Sequence, residues 1–422
     1  MTSEIYEEAF VWVWLPGQVA PVVAGRLARE GQHLAFNYGR SYLQRQEAIP
    51  IYLPELPLKA GVLDLLPGLS MPGCIRDASP DAWGRRVLIN RKLGLKGDVV
   101  QDVELDELSY LLESGSDRVG ALDFQTSPTD YVPRHSGNAP LIELLQSAEM
   151  VERGVPLTPE LNMALHHGTS LGGARPKALL EGGEKKYVAK FSSSTDVYNV
   201  VKTEFIAMRL AAEVGLNAAP VSLTKAMGKD VLLIERFDRI PSVKGWHRRS
   251  MVSALTMFEL DEMMAPYASY ETLAEIIRHR FTAPKATLRE LFGRMVFNIL
   301  CGNTDDHARN HAAFWDGAML ELTPAYDICP QSRTGNIASQ AMLIIGNDRS
   351  SKLATCLQAA PKFLLKQDEA EGLIRTQIGS IRAKWDAVCD EAGMTEIERL
   401  QAWGRQFLNP FVFEDAPPTL AI

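Results

Sequence analysis

Asp305 and Asn310 stand five positions apart in the polar run Asn303-Thr304-Asp305-Asp306-His307-Ala308-Arg309-Asn310, just after an apolar stretch at 291–301. Phosphoryl transfer needs a carboxylate to accept or orient the attacking hydroxyl's proton, and oxygen ligands to hold magnesium on the phosphates. An Asp and an Asn separated by four residues supply both in the catalytic loop of protein kinases. Asp327 follows Asn310 by seventeen residues, in Leu322-Thr323-Pro324-Ala325-Tyr326-Asp327, beyond an expected hairpin through Trp315-Asp316-Gly317. A second magnesium-binding Asp belongs near that place. Two rival readings stay open for the cluster taken alone. One is a turn-rich loop whose Asp, Asn and His side chains fold back on the backbone. The other is a transition-metal site on His307 and His311, at i and i+4, although no H-E-x-x-H general base accompanies the pair.

The phosphate end is sought upstream. Gly168-Thr169-Ser170-Leu171-Gly172-Gly173-Ala174-Arg175-Pro176-Lys177 joins small residues, adjacent glycines and a lysine. Glycines let backbone N–H groups converge on phosphate oxygens. The run is neither a Walker A motif nor G-x-G-x-x-G, and such a run alone is read first as a turn. Lys190 adds to it, because it lies in the apolar run Tyr187-Val188-Ala189-Lys190-Phe191, where a lysine is unusual unless its ammonium meets an anion. Glu204, fourteen residues on, flanks the apolar stripe of the next expected helix and suits the Lys–Glu ion pair of a kinase. Alone, this pair reads as a snorkelling lysine and an ordinary helical glutamate. Order decides: Gly-rich turn, strand lysine, helix glutamate, strand and linker, Asp-x4-Asn and then Asp is the protein-kinase order.

The elements that must position these residues follow from periodicity. Residues 10–70 read as short strands and turns, with Pro16-Gly17 closing the first strand. Ser79 before Pro80 reads as a helix N-cap. The Ser-, Thr-, Pro- and Gly-rich segment 125–140 reads as a domain boundary. A helix is expected with Val201, Phe205, Met208 and Ala212 on its apolar stripe and Gly215 at its end. A strand is expected at 231–234, and helices at 273–279, 288–301 and 369–391. The expected fold class is α+β, a two-lobe protein-kinase-like fold with a β-rich N-terminal region and lobe and an α-helical C-terminal lobe. Its expected parts are 1–135, 136–240 with the Gly-rich loop and hinge, and 241–422 with the catalytic loop.

Composition narrows the partners. The 422 residues carry a formal net charge of -8, with 46% hydrophobic and 23% charged residues. That balance argues against direct nucleic-acid binding, which needs a basic surface. The local pair Arg248-Arg249 beside Trp246-His247 reads as a solvated loop. Five scattered cysteines without a C-x-x-C, an acidic start and no long apolar run predict a cytoplasmic protein with reduced thiols and no membrane span.

The segments at 170–177, 188–191, 303–310 and 322–327, with Glu235-Arg236-Phe237-Asp238-Arg239 and the run at 76–86, together resemble the HipA-type serine/threonine kinases, the toxin halves of bacterial toxin–antitoxin pairs. The resemblance extends from about residue 13 to the C-terminal helices. It implies ATP and Mg2+ as cofactors, Asp305 as catalytic base, and Asn310 and Asp327 on magnesium. It puts Lys190 on the α/β-phosphates with Lys177 near them, backbone groups of Glu235 and Phe237 on adenine, and Asp238 within reach of the ribose. It implies that Ser170 is a self-regulatory phosphosite, since a phosphate there puts negative charge where ATP phosphates sit. It further implies a small helix-turn-helix antitoxin that supplies the DNA contact, and a protein acceptor such as an aminoacyl-tRNA synthetase, with growth arrest as outcome. A small-molecule kinase of the same fold and a pseudokinase-like co-repressor are the alternatives. Two departures are specific. Pro176 stands where many relatives carry a polar or acidic residue, which stiffens the loop. The doubled Asp305-Asp306 is resolved by spacing in favour of Asp305.

Overall fold

The computed structural model describes residues 6–93, 105–134, 139–158, 161, 170, 172–332, 335 and 337–420. β-Branched and aromatic residues crowd the opening runs, and pleated surfaces suit them. Strands β1 (Glu8–Val13), β2 (Val22–Glu30), β3 (His33–Tyr38), β4 (Val62–Leu63) and β5 (Leu122–Gln125) form an antiparallel sheet in the order β4-β3-β2-β1-β5. A second sheet has the order β6-β7-β9-β8, from β6 (Lys177–Gly182), β7 (Lys185–Phe191), β8 (Val221–Ala226) and β9 (Lys229–Glu235). The helices Ala82–Leu93 and Leu141–Glu152 bury their apolar faces with it. Trp83, Val87, Leu144, Leu145, Ala148 and Val151 share one cluster with Ala178, Ala189, Phe191 and Val231. The Trp83 indole N–H, buried and obliged to find an acceptor, donates to Lys177 O at 2.9 Å and so pins its helix to β6.

The chain divides into two compact units. One holds 1–197, 224–252 and 314–318; the other holds 198–223, 253–313 and 319–422. The boundary expected at 135/136 falls inside the first unit, and the helix Val200–Glu213, expected with the first lobe, groups with the second. Within the first unit a buried ion network, described below, ties residues 117–120 to residues 236–239.

The second unit is largely helical: Val200–Glu213, Tyr270–Arg280, Pro284–Leu300, Leu353–Ala359 and Gln367–Glu391. The first buries Val201, Phe205 and Met208 as the spacing predicts, with Ala211 rather than Ala212 completing the stripe. Gly215, at φ 90°, follows its C-terminus in the left-handed region that glycine enters freely. Pro284 opens the helix Pro284–Leu300 at a position where its missing N–H costs nothing.

Two expectations are corrected. The helix after Pro80 begins at Ala82, and Ser79 is not its cap: its N–H closes a turn onto Arg76 O at 2.8 Å and its hydroxyl donates to Glu107 at 3.2 Å. Arg248 and Arg249 are not a solvated basic loop. Their guanidiniums lie over aromatic rings, 3.5 Å from the Trp14 centroid and 3.2 Å from that of Phe314, and both residues are largely covered.

Candidate active site

In the first unit, β6 and β7 meet in a register that sets Lys177 directly opposite Lys190. Both are buried, 4% and 6% exposed. Two buried lysines facing each other across a pair of strands stay charged only where acceptors or anions meet them. The Lys177 ammonium donates to Gly172 O. Gly173 has φ +94°, so the backbone favours glycine there, while a Cβ would meet only the movable end of the Lys177 side chain. Its N–H donates to Asp81 and its carbonyl accepts from Trp83 N–H at 3.2 Å, which fixes the Gly-rich turn to the start of the helix Ala82–Leu93. Ser170 is buried, and its Oγ has no hydrogen-bond partner among the described residues. Residues 162–169 and Leu171, the rest of the Gly-rich loop, lie outside the described residues.

At the end of β9, the Glu235 carboxylate is taken by Lys185 at 2.6 Å, which leaves the hinge reading to its backbone. The Phe237 ring packs edge-on against Phe314, with centroids 5.9 Å apart. Asp238 does not fit the ribose role. It is buried, and its carboxylate accepts from Arg236, Arg239 and Gly120 N–H at 2.8–2.9 Å. A sequence shows the polar residue but not its partners, which include a segment more than a hundred residues upstream.

In the second unit the helix Pro284–Leu300 delivers the chain into the loop at 303–310. Gly302, at φ +70°, turns the chain where a side chain would collide with the Gln406 backbone. Asn303 is tied to Asn298 by its N–H (2.8 Å) and its side-chain amide (3.0 Å). Gly302 O and Thr304 O accept from Gln331 and Ala341 N–H at 3.0 Å. Within the loop, His307 N–H donates to Asp305 O (2.9 Å) and a single 3-10 turn, Ala308–Asn310, follows. That turn carries the Asn310 amide nitrogen back to Asp305 O at 3.3 Å. The five-residue spacing is therefore one closed turn, with Asn310 folded onto Asp305.

Asp306 has another task. It is 2% exposed, its Oδ1 lies 2.9 Å from His311 Nε2, and its Oδ2 accepts from the buried Tyr270 hydroxyl. This holds His311 inside the fold against Asp306, not as an open ligand beside His307. Among the described residues no group of three or more His, Cys, Asp or Glu forms a metal site.

Asp327 has φ 58°, a left-handed conformation that a short polar side chain tolerates better than most. It is held there from both sides. Ala325 pairs with 217–219 through Ala325 N–H to Asn217 O (2.7 Å) and Ala219 N–H to Ala325 O (2.9 Å). The Tyr326 hydroxyl donates to Arg309 O in the loop at 303–310 at 2.7 Å. The Asp305 carboxyl is solvent-accessible yet pushed above its ordinary range. Partial desolvation is the largest cause, the Asp327 and Asp306 carboxylates add to it, and His307 opposes it. Glu204 is 1% exposed on Val200–Glu213. Tyr270 and Arg294 were missed from sequence, and His311, read there as a possible metal ligand, is paired with Asp306 instead. Arg294, buried in an apolar helix, was the one with a readable signal; it donates to Thr323 O at 2.8 Å and Asn217 O at 3.2 Å and is ion-paired with Glu290 at 2.8 Å.

Comparison with known proteins matches this layout. Residues 13–125 fit the HipA N-terminal domain and 169–385 the HipA-like C-terminal domain. Y4mE of Sinorhizobium fredii, which bears a kinase name, is 25% identical over 373 residues, 79% of this chain and 80% of that protein. The serine/threonine-protein kinase toxin HipA of Shewanella oneidensis is 26% identical over 203 residues, 42% of this chain and 47% of that one. A Shewanella oneidensis chain solved in a complex of HipA, HipB and operator DNA has the same fold, with a TM-score of 0.66, 19% identity, and coverage of 96% of this chain and 99% of that one. The second unit also contains no helix long and apolar enough to cross a membrane, and neither do the other described residues. With the α+β architecture, both family domains in order and the kinase-spaced loop in place, this chain belongs to the HipA-like kinase family.

Proposed function

We propose that this chain transfers the γ-phosphoryl group of ATP to a serine or threonine hydroxyl of a protein. The observation that carries the reading is the loop at 305–310, whose 3-10 turn folds Asn310 onto the Asp305 carbonyl beside a carboxyl raised by its surroundings. Asn310 and Asp327 are oxygen donors of the hard kind that magnesium takes together with phosphate oxygens. Bound there, the ion would neutralise charge on the transferring phosphoryl. Asp305 accepts the acceptor hydroxyl's proton, and a carboxyl raised towards the working pH is the better base for it. Lys190 and Lys177 attract the phosphates, and Gly172 and Gly173 let the backbone approach them. Glu204 keeps the role of the helix glutamate that positions a phosphate-binding lysine. Glu235 and Phe237 offer backbone groups to adenine.

The finer reading is a growth-arresting toxin. Its acceptor would be a translation component, with an aminoacyl-tRNA synthetase first to be tested, and its partner a helix-turn-helix antitoxin carrying the DNA contact. The Shewanella HipA solved with HipB and operator DNA supports the partner, and the acidic balance of this chain supports leaving DNA to it. Ser170 is the proposed off-switch. Its hydroxyl is buried, so the loop must open before a phosphate can be added, and the added charge then opposes its return beside the ATP phosphates. The test is incubation of the purified chain with labelled ATP and magnesium, alone and with cell extract. Label on Ser170 and on a protein, lost in Asp305→Ala, is expected. Label confined to a small molecule, or no label, refutes the protein-kinase reading.

A further inference from the structure

Arg236 and Arg239 bracket Phe237 in the hinge run, and both guanidiniums are buried. A buried cation persists only where acceptors surround it. Here the acceptors come largely from residues 117–120. Arg236 donates to Asp117 O at 3.1 Å, to Arg118 O at 2.8 Å and to both Asp238 oxygens at 2.8–2.9 Å. Arg239 donates to Asp117 Oδ1 at 2.9 Å, to Gly120 O at 2.8 Å, to Asp238 Oδ2 at 2.9 Å and to Arg118 O. Lys186, on β7, reaches Asp117 Oδ2 at 2.8 Å, while its carbonyl accepts the Arg236 N–H at 2.8 Å. Gly120 N–H closes the ring onto Asp238 at 2.8 Å. Two carboxylates and three cations thus alternate around one backbone segment.

We infer that residues 117–120 clamp the hinge, with Asp117 as a positioning residue that holds the backbone at 235–237 in the shape an adenine edge requires. The inference rests on the proposed base-binding role of that backbone. Phe237 sits between two anchored arginines, so its peptide groups have little freedom to rotate. Affinity that depends on a preformed backbone falls when the backbone is released, because binding must then order it. Burial works to raise the Asp117 carboxyl, but the charges of Arg236, Arg239 and Lys186 overcome it and hold it well below the carboxylate range, so the clamp stays charged near neutral pH.

The test compares wild type with Asp117→Asn by calorimetric titration with magnesium ATP and with magnesium triphosphate, well below both melting temperatures. The clamp predicts an ATP affinity about tenfold weaker in the variant and an unchanged triphosphate affinity, because only ATP presents a base to the hinge. Unchanged ATP affinity, or equal losses for both ligands, overturns it. If Asp117→Asn does not fold, Lys186→Met, which leaves the Asp117–arginine bonds in place, is measured in the same way. A loss of about threefold for ATP alone is then expected, and no loss overturns the clamp. A wild-type chain that binds triphosphate as tightly as ATP refutes the hinge assignment itself, a result distinct from failure of the clamp.

Discussion

Tyr270→Phe removes one buried hydroxyl beneath the loop at 303–310, which bonds Asp306 and lies 3.3 Å from His311 Nε2. The Tyr270 hydroxyl donates to Asp306 Oδ2, and His311 Nε2 holds Oδ1 at 2.9 Å. Burial, the Asp306 carboxylate and their hydrogen bond push the phenol well above its ordinary range, so it remains a donor at any working pH. Phenylalanine keeps the ring, and with it the edge-on packing on His311 at 5.4 Å. Only the hydroxyl is lost. A hydrogen bond to a buried charge is worth about 1.5–3 kcal/mol. For a unit of 150–250 residues each kcal/mol moves the melting temperature by roughly 2–4 °C, so a fall of about 3–12 °C is expected. Asp305 precedes Asp306 in the chain, so the loosened anchor should also lower kcat by about tenfold, in line with the cost of small misplacements at a reacting centre. Thermal unfolding and phosphoryl-transfer rates are read together, with Asp306→Asn and the double variant completing a cycle. A coupling of about 0.5–3 kcal/mol is expected between residues in such contact. A melting temperature unchanged in Tyr270→Phe, or strictly additive variants, would show that Asp306 is held by other means.

Three further outcomes follow from the same geometry. Asp305 has a folded-state pKa above its unfolded value, so its contribution to stability is fully present below the unfolded value and is lost as pH rises through the folded one. Asp305→Asn should therefore abolish transfer yet melt higher than wild type near neutral pH in metal-free buffer, the gap closing in acid; a lower melting temperature at neutral pH refutes the assignment. Gly173→Ala meets the φ of +94° and displaces the movable end of the Lys177 side chain, and a loss of about 1–3 kcal/mol with weakened ATP binding is expected by denaturant titration and calorimetry. Arg294→Met strands two carbonyls and Glu290, and about 3–5 kcal/mol should be lost in urea unfolding; a loss under about 1 kcal/mol would mean that the segment before Asp327 does not depend on it.

What the sequence made legible is what chain geometry alone determines. Asp305 and Asn310 were readable because five residues close one turn, and no distant residue is needed to bring them together. Lys190 was readable from its apolar strand. Its register opposite Lys177 follows from the two-residue turn Gly183-Glu184 and was there to be found, since a Gly-containing pair between alternating runs is a hairpin signal. Asp238 was misread for a deeper reason. A polar residue in an apolar neighbourhood marks either a ligand site or a buried ion network, and the two have the same local signature. Only the partners separate them, and here they include Gly120 and, through the arginines, Asp117. The same logic applies to Asp305 and Asp306. Adjacent and identical in type, they differ because Tyr270 and His311 close around one and leave the other open to solvent. The carboxylate with partners is structural, and the one kept accessible among like charges is the one the proposed mechanism uses as its base.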